Sequence, residues 1–176
     1  MYGRGNILRI DLTTGSVSHE PIPTHICRKY IGGEGINSWL LWQHFLKVDP
    51  RIDPLSPDNV LVAGIGPLGA TGLGGGTKMK WTFKSPAYHI FGDSTCGGRF
   101  PGAMRWAGYD HIVITGRARQ PVIIVIKDEQ VEIRDGQRFW GKDAFAAHDM
   151  IRNYLGDKEF EVAGIGPAGE NLVTYA

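Results

Sequence analysis

Val62-Ala63-Gly64-Ile65-Gly66-Pro67 recurs in this chain as Val162-Ala163-Gly164-Ile165-Gly166-Pro167. Each copy runs on as Pro-x-Gly, to Gly69 and to Gly169. The repeat decides how the chain is organised, because the surrounding pattern repeats with it. Upstream of the first copy, residues 34–46 carry Ile36, Trp39, Leu40, Leu41, Trp42 and Phe45, with glycines before them and Pro50 and Pro54 beyond. They predict a helix apolar most of the way round, buried or lying between domains. Upstream of the second copy, residues 142–155 place Ala147, Ile151 and Tyr154 at helical spacing and stop at Gly156. Before each helix lies an alternating apolar–polar hairpin. One covers residues 7–12, turns at Thr13-Thr14-Gly15 and returns through Val17. The other covers 122–126, turns at Lys127-Asp128-Glu129 and returns through Val131 and Ile133. Each copy therefore reads hairpin, helix, strand, Gly-Ile-Gly-Pro.

After Gly69 the first copy continues through the glycine-rich stretch 72–76, a strand at 80–83 stopped by Lys84-Ser85-Pro86, and a short helix at 100–107. Pro101 fits the first turn of that helix, Gly108-Tyr109-Asp110 ends it, and 111–115 is a β-branched strand. The expected fold class is α+β: two related hairpin–helix–strand halves forming packed β-sheets with a few helices, the second half incomplete. A second half of equal length needs roughly fifty further residues. The expectation is thus one domain over residues 1–176, truncated at its C-terminal end.

A chain of 176 residues is long enough to bury a core. Its 19 basic and 18 acidic residues leave a net charge of +1, which predicts no nucleic-acid surface. No apolar run approaches membrane-spanning length and no signal-peptide pattern opens the chain, so no membrane is expected and the default location is cytoplasmic. Cys27 and Cys96 are the only cysteines, which is neither a disulfide framework nor an iron–sulfur ligand set. The 25 glycines concentrate in a few loops, the composition expected where backbone approaches a ligand or other backbone closely.

Gly64-Ile65-Gly66-Pro67-Leu68-Gly69 matches a dinucleotide fingerprint, but that motif needs a helix opening at its third glycine. Residues 70–77, Ala-Thr-Gly-Leu-Gly-Gly-Gly-Thr, do not start one. Gly76-Thr77-Lys78 is not a nucleotide-hydrolase phosphate loop, since Met79 follows the lysine. Ser94-Thr95-Cys96-Gly97-Gly98 precedes the short helix, where free N–H groups and a capping hydroxyl favour anions. An ordinary capped helix and an inert buried Cys96 are the simpler readings of that stretch. The six histidines show no metal-ligand spacing. The chain offers ligand-cradling loops without a nucleophile–base set.

The chain resembles the N-terminal domain of the aldehyde ferredoxin oxidoreductase family of tungsten enzymes. The stretches that carry the resemblance include 5–15, 30–33, 53–59, Gly66-Pro67-Leu68-Gly69, Lys84-Ser85-Pro86, Ala107-Gly108-Tyr109-Asp110, 131–135, Trp140-Gly141-Lys142 and 166–173. The resemblance implies a base beneath a tungsten (or molybdenum) bis-pyranopterin whose phosphates share a magnesium ion. It implies aldehyde oxidation to carboxylic acids, with electrons passing through a [4Fe-4S] cluster to ferredoxin. The cluster ligands belong to parts of the enzyme outside this chain, so the remaining domains or a partner subunit are implied partners, ferredoxin binds through the complete enzyme, and the isolated chain is expected to be inactive. The implied pterin-facing loops fall at 74–78 and 93–98, naming Gly75, Gly76, Lys78, Ser94, Thr95, Cys96, Gly97 and Gly98, with the Thr95 backbone carbonyl facing magnesium. The family usually has Arg where Lys78 stands, and often Asn-Ser where Thr95-Cys96 stands. A lysine keeps the charge but loses the planar fork. These departures point to the alternative role, a non-catalytic scaffold, assembly partner or pterin carrier of the same descent. Exposed apolar faces are expected where the rest of the enzyme packs, with the isolated chain expected to self-associate or bind a partner.

Overall fold

The structure, a computed structural model, describes residues 5–175. In chain order the elements are β1 (Asn6–Asp11), β2 (Ser16–Pro21), α1 (Thr24–Tyr30), α2 (Gly33–Phe45), β3 (Val60–Ile65), β4 (Met79–Lys84), β5 (Phe91–Cys96), α3 (Phe100–Trp106) and β6 (His111–Thr115). The hairpin β7 (Val122–Lys127) and β8 (Gln130–Asp135) follows, then a 3-10 turn at Gln137–Phe139, α4 (Ala144–Leu155) and α5 (Gly166–Glu170). Six strands form one sheet in the order β2-β1-β6-β3-β4-β5, and β7-β8 pair separately. All neighbours run antiparallel except β1 and β6. The class is α+β, as the sequence predicts.

Side chains alternate across a strand, so each central strand feeds two cores. Ile7, Val62 and Val113 face the helices, joining Ile26 and Cys27 of α1 with Ile36, Leu40 and Leu41 of α2. Leu8, Ala63 and Ile112 face the other way, joining Met79, Met104 of α3 and Tyr109. The inward residues Ile124, Ile126, Val131 and Ile133 of the β7-β8 hairpin pack on that second core. Burial on both faces is why β3 and β6 read as nearly continuous apolar runs.

The helix predicted at 34–46 is α2, but only one face is buried, and Trp42 is 64% exposed. A polar residue anchors that face. Asn37 donates through Nδ2 to the carbonyls of Val62 (3.3 Å) and Lys80 (3.0 Å) and to Thr82 Oγ1 (3.0 Å). Its Oδ1 therefore faces His111 Nδ1 at 2.8 Å and makes that nitrogen the donor. Asn37, Thr82 and His111 are wholly buried, and His111 Nε2 has no partner. Burial holds the His111 imidazole down at a pKa of about 3, so it is neutral at ordinary pH.

The second half follows the predicted order as far as its helix. Asp143 caps α4 by accepting from the N–H groups of Phe145 (3.0 Å) and Ala146 (2.9 Å). Gly156 closes it in the left-handed conformation, at φ 71°. The strand expected before the second Gly-Ile-Gly-Pro is not formed: residues 160–165 are irregular. Among the described residues no strand lies alongside to take their backbone bonds. What the two copies do share is a local packing, with Gly69 against the Ile65 side chain and Gly169 against Ile165.

Candidate functional site

One hairpin register brings the two predicted loops together. In β4-β5, Met79 stands opposite Cys96 and Lys80 opposite Thr95. The glycine stretch entering β4 and the Gly97-Gly98 turn leaving β5 therefore sit side by side at one end of that hairpin. Residues 93–98 were expected to be a loop. Up to Cys96 they are instead part of the edge strand β5, whose polar sequence Phe91-Gly92-Asp93-Ser94-Thr95-Cys96 hides the usual apolar alternation because the strand is largely exposed. The cap of α3 is Arg99, with no side-chain hydrogen bond, so neither Ser94 nor Thr95 caps the helix as the sequence suggested.

The glycines of this cluster fall into two kinds. Gly72, Gly75 and Gly98 hold positive φ, at 85°, 82° and 75°, which other residues adopt only at a cost. In front of Gly74, Gly75, Gly97 and Gly98 lies open space, with nothing within 4 Å of where a Cβ would stand. Gly76 is different: a Cβ there would lie 2.5 Å from the Leu68 carbonyl oxygen, so this glycine folds the loop back on its own root. No helix follows Gly69, only turns, as the rejection of a dinucleotide fold requires.

The polar side chains divide by face. Lys80 pairs with Asp93 and lies 3.5 Å from Glu34, which raises its pKa, mainly through the Asp93 hydrogen bond. Lys78, two residues earlier, is exposed. Alternation along β5 puts Thr95 on the face of Asp93 and Lys80, and Ser94 and Cys96 on the opposite face. Cys96 is half-buried against the second core, with Sγ donating weakly to the Gly97 carbonyl at 3.4 Å. Thr95 and Cys96 thus cannot turn their side chains toward one ligand on one face. The feature common to the two loops is open glycine backbone, with the exposed Lys78 at the end of the first.

Two residues that the sequence does not mark as functional hold the root of this loop. Arg105, in the last turn of α3, points its Nη1 at the carbonyls of Gly66 (3.0 Å), Pro67 (3.0 Å) and Gly69 (2.9 Å). Its Nε lies 3.5 Å from Asp110 Oδ1. Asp110 accepts the Asn6 N–H at 3.2 Å, and burial raises its pKa, opposed by Arg105. The only sequence signal was Asp110 itself, read as a helix stop. His19 and Tyr109 are joined at 2.8 Å beside a separate cavity lined by Asn6, Glu20 and Glu129. Among the described residues no group of three or more His, Cys, Asp or Glu is placed to hold a metal, and no helix is long and apolar enough to cross a membrane.

Residues 7–176 match the family described as aldehyde ferredoxin oxidoreductase, N-terminal domain. The tungsten-containing aldehyde ferredoxin oxidoreductase of Pyrococcus furiosus is 40% identical over all of this chain, which spans 29% of that relative. An aliphatic sulfonate oxidoreductase, WOR-like subunit, from the same organism is 30% identical, again over all of the chain and 30% of the relative. Among solved structures, a chain of the active-site complex BamBC of benzoyl-coenzyme A reductase, determined with 1,5-dienoyl-CoA, superposes with a TM-score of 0.93 at 34% identity. That match covers 98% of this chain and 26% of the other.

Proposed function

Because this chain belongs to the aldehyde ferredoxin oxidoreductase N-terminal domain family, we propose that its paired glycine loops hold a tungsten bis-pyranopterin cofactor within a larger aldehyde-oxidising enzyme. When bound, the tungsten supplies the redox centre at which an aldehyde becomes a carboxylic acid, with ferredoxin as final electron acceptor. The β4-β5 register carries this reading, since it joins two segments about twenty residues apart into one backbone-lined cluster. The donor set fits a phosphate-bearing ligand: Gly74, Gly75, Gly97 and Gly98 leave their backbone open to close approach, and Lys78 supplies positive charge. Lys78 acts as a point charge, without the two-pronged bond an arginine makes. The Thr95 backbone carbonyl would face magnesium, a role that its side chain does not affect. Gly76 keeps the loop folded back while its neighbours remain open. The [4Fe-4S] cluster, its ligands and the ferredoxin contact lie in the part of the enzyme that this chain does not include.

Tungsten and pterin content of the complete protein tests the assignment. Lys78→Ala lowers tungsten per polypeptide, Lys78→Arg retains it, and neither shifts Tm by more than the small amount expected at an exposed site. A complete protein purified without tungsten or pterin overturns the reading. The 176-residue chain alone oxidises no aldehyde; turnover by that chain would overturn the division of labour proposed here.

A further inference from the structure

We propose that Arg105 is a positioning residue for the cofactor loop, holding its root from α3. The inference rests on the cofactor reading above for its function, but its geometry stands independently. One Nη1 lies 2.9–3.0 Å from three carbonyls, those of Gly66, Pro67 and Gly69. A guanidinium that shares its hydrogens among carbonyl oxygens bends the chain around itself, and charge-assisted bonds of this kind are the stronger ones. The same guanidinium is aimed by Asp110, which is fixed to both sides of the sheet end. Its N–H donates to the Asn6 carbonyl at 3.0 Å, and its own carbonyl accepts from Ile65 at 3.0 Å. The root of the loop is thereby tied to β1, β3 and β6 at once.

From that root the position passes along the loop by local bonds. Gly69 donates to the Gly66 carbonyl at 2.9 Å. Thr71 Oγ1 donates to the Leu68 carbonyl at 2.7 Å. Gly76 donates to the Leu73 carbonyl at 3.2 Å and packs on the Leu68 carbonyl. Residues 66–69 thus determine where Gly75, Gly76 and Lys78 stand.

The helix that carries Arg105 also begins at the other loop. Gly97-Gly98 lead directly into α3, whose seven residues span about 10 Å. Gly102, midway along, packs near Ala70, which would lie 3.9 Å from a Cβ at that position. One short helix therefore touches both cofactor loops: it starts at the second and grips the first with its last turn. Arg105 sets the spacing between them.

Hydrogen exchange on the full 176-residue chain tests the grip without any cofactor. In Arg105→Met, which keeps much of the stem, amides of 68–78 exchange on the order of tenfold faster or more, the effect of losing a bond to a charged donor. The amides of β1 and β6 keep their rates. Arg105→Lys, which restores a charge without the fork, falls between the two; should the methionine variant not fold, the lysine variant is judged by the same criterion. Unchanged exchange in 68–78, or a rise matched in β6, overturns the proposal. The functional half is read in the complete protein as tungsten retained after gel filtration, expected to fall several-fold in Arg105→Met at a Tm close to wild type. If wild type holds tungsten and the variant holds as much, the positioning role is refuted. If wild type holds none, the cofactor reading fails while the exchange result still decides the grip.

Discussion

Gly64→Ala is the substitution for which the structure gives the sharpest forecast. Gly64 is the first glycine of the repeated motif and lies in β3 opposite both Lys80 and His111. A Cβ at this position would collide with Asn37 Oδ1 and His111 Nδ1, both fully buried. Neither partner has room to retreat. Asn37 is fixed by Lys80 and Thr82 at 3.0 Å, and His111 already has one nitrogen without a partner. Forcing a methyl into a packed core costs about 1–3 kcal/mol. Separating the 2.8 Å Asn37–His111 bond leaves a buried donor unmet, at about 1–3 kcal/mol more. The expected loss is about 4 kcal/mol, a large share of the roughly 5–15 kcal/mol that holds a domain together. In a chain of this size that lowers Tm by about 10 °C. The matching control is Gly164→Ala in the second copy, where nothing lies within 4 Å; it should change stability by no more than about 0.5 kcal/mol. Urea unfolding of both variants decides. Gly64→Ala within 1 kcal/mol of wild type (about the cost of an ordinary substitution), or an equal loss at Gly164, refutes the crowding argument.

His111 makes stability depend on pH. Its folded pKa is depressed by burial from 6.5 to about 3, so only the unfolded chain takes up this proton on mild acidification. Its contribution is complete above pH 6.5 and is lost as pH falls from there toward 3, at about 1.4 kcal/mol per pH unit. Denaturation between pH 7 and 5 should show that slope flattened in His111→Leu, and an unchanged slope contradicts the assignment. Asp143→Ala removes the cap of α4 and should cost about 1 kcal/mol, seen as faster exchange at Phe145 and Ala146; unaltered rates there would show that the cap does not hold the helix end.

The hairpins and the two long helices were legible because their signals are local. Alternation around a polar turn marks β1-β2 and β7-β8, and Gly156 marks the end of α4. What failed was whatever depends on distant partners. Residues 91–96 form a strand only because β4 lies alongside, and residues 160–165 do not because nothing does. The parallel pairing of Ile7 with His111 leaves no trace in either segment alone. The helix α1 is only seven residues long and buries just Ile26 and Cys27, too few for a periodicity. The loops at 74–78 and 93–98 are singled out only by family resemblance, and the structure adds that one register joins them. Arg105 had no signal to find, because an arginine serving backbone carbonyls can stand anywhere the fold brings it near a turn.

The same dependence on distant contacts predicts where the molecule is weakest. Among residues 117–175 only Val125, Gly136 and Phe139 are buried. The β7-β8 pair has no third strand, and two-stranded hairpins are marginal without a surface to pack on. Here they have one, through Ile124, Ile126, Val131 and Ile133. The helix α4 buries no residue and leaves Phe145 86% exposed, with Trp140 and Tyr175 also open. Segments with few buried contacts open locally at small cost. Hydrogen exchange of this chain should therefore rank α4 far faster than the central strands β1, β3 and β6, by orders of magnitude at pH 7, with β7-β8 between them. Curated relatives are more than three times as long as the chain matched to them, and in the complete protein a covering partner would slow α4 selectively while the central strands change little. Protection of α4 equal to that of β6 in the isolated chain would mean that the helix is held by contacts outside the single chain, such as a second copy of it, and that burial does not set local stability in this molecule.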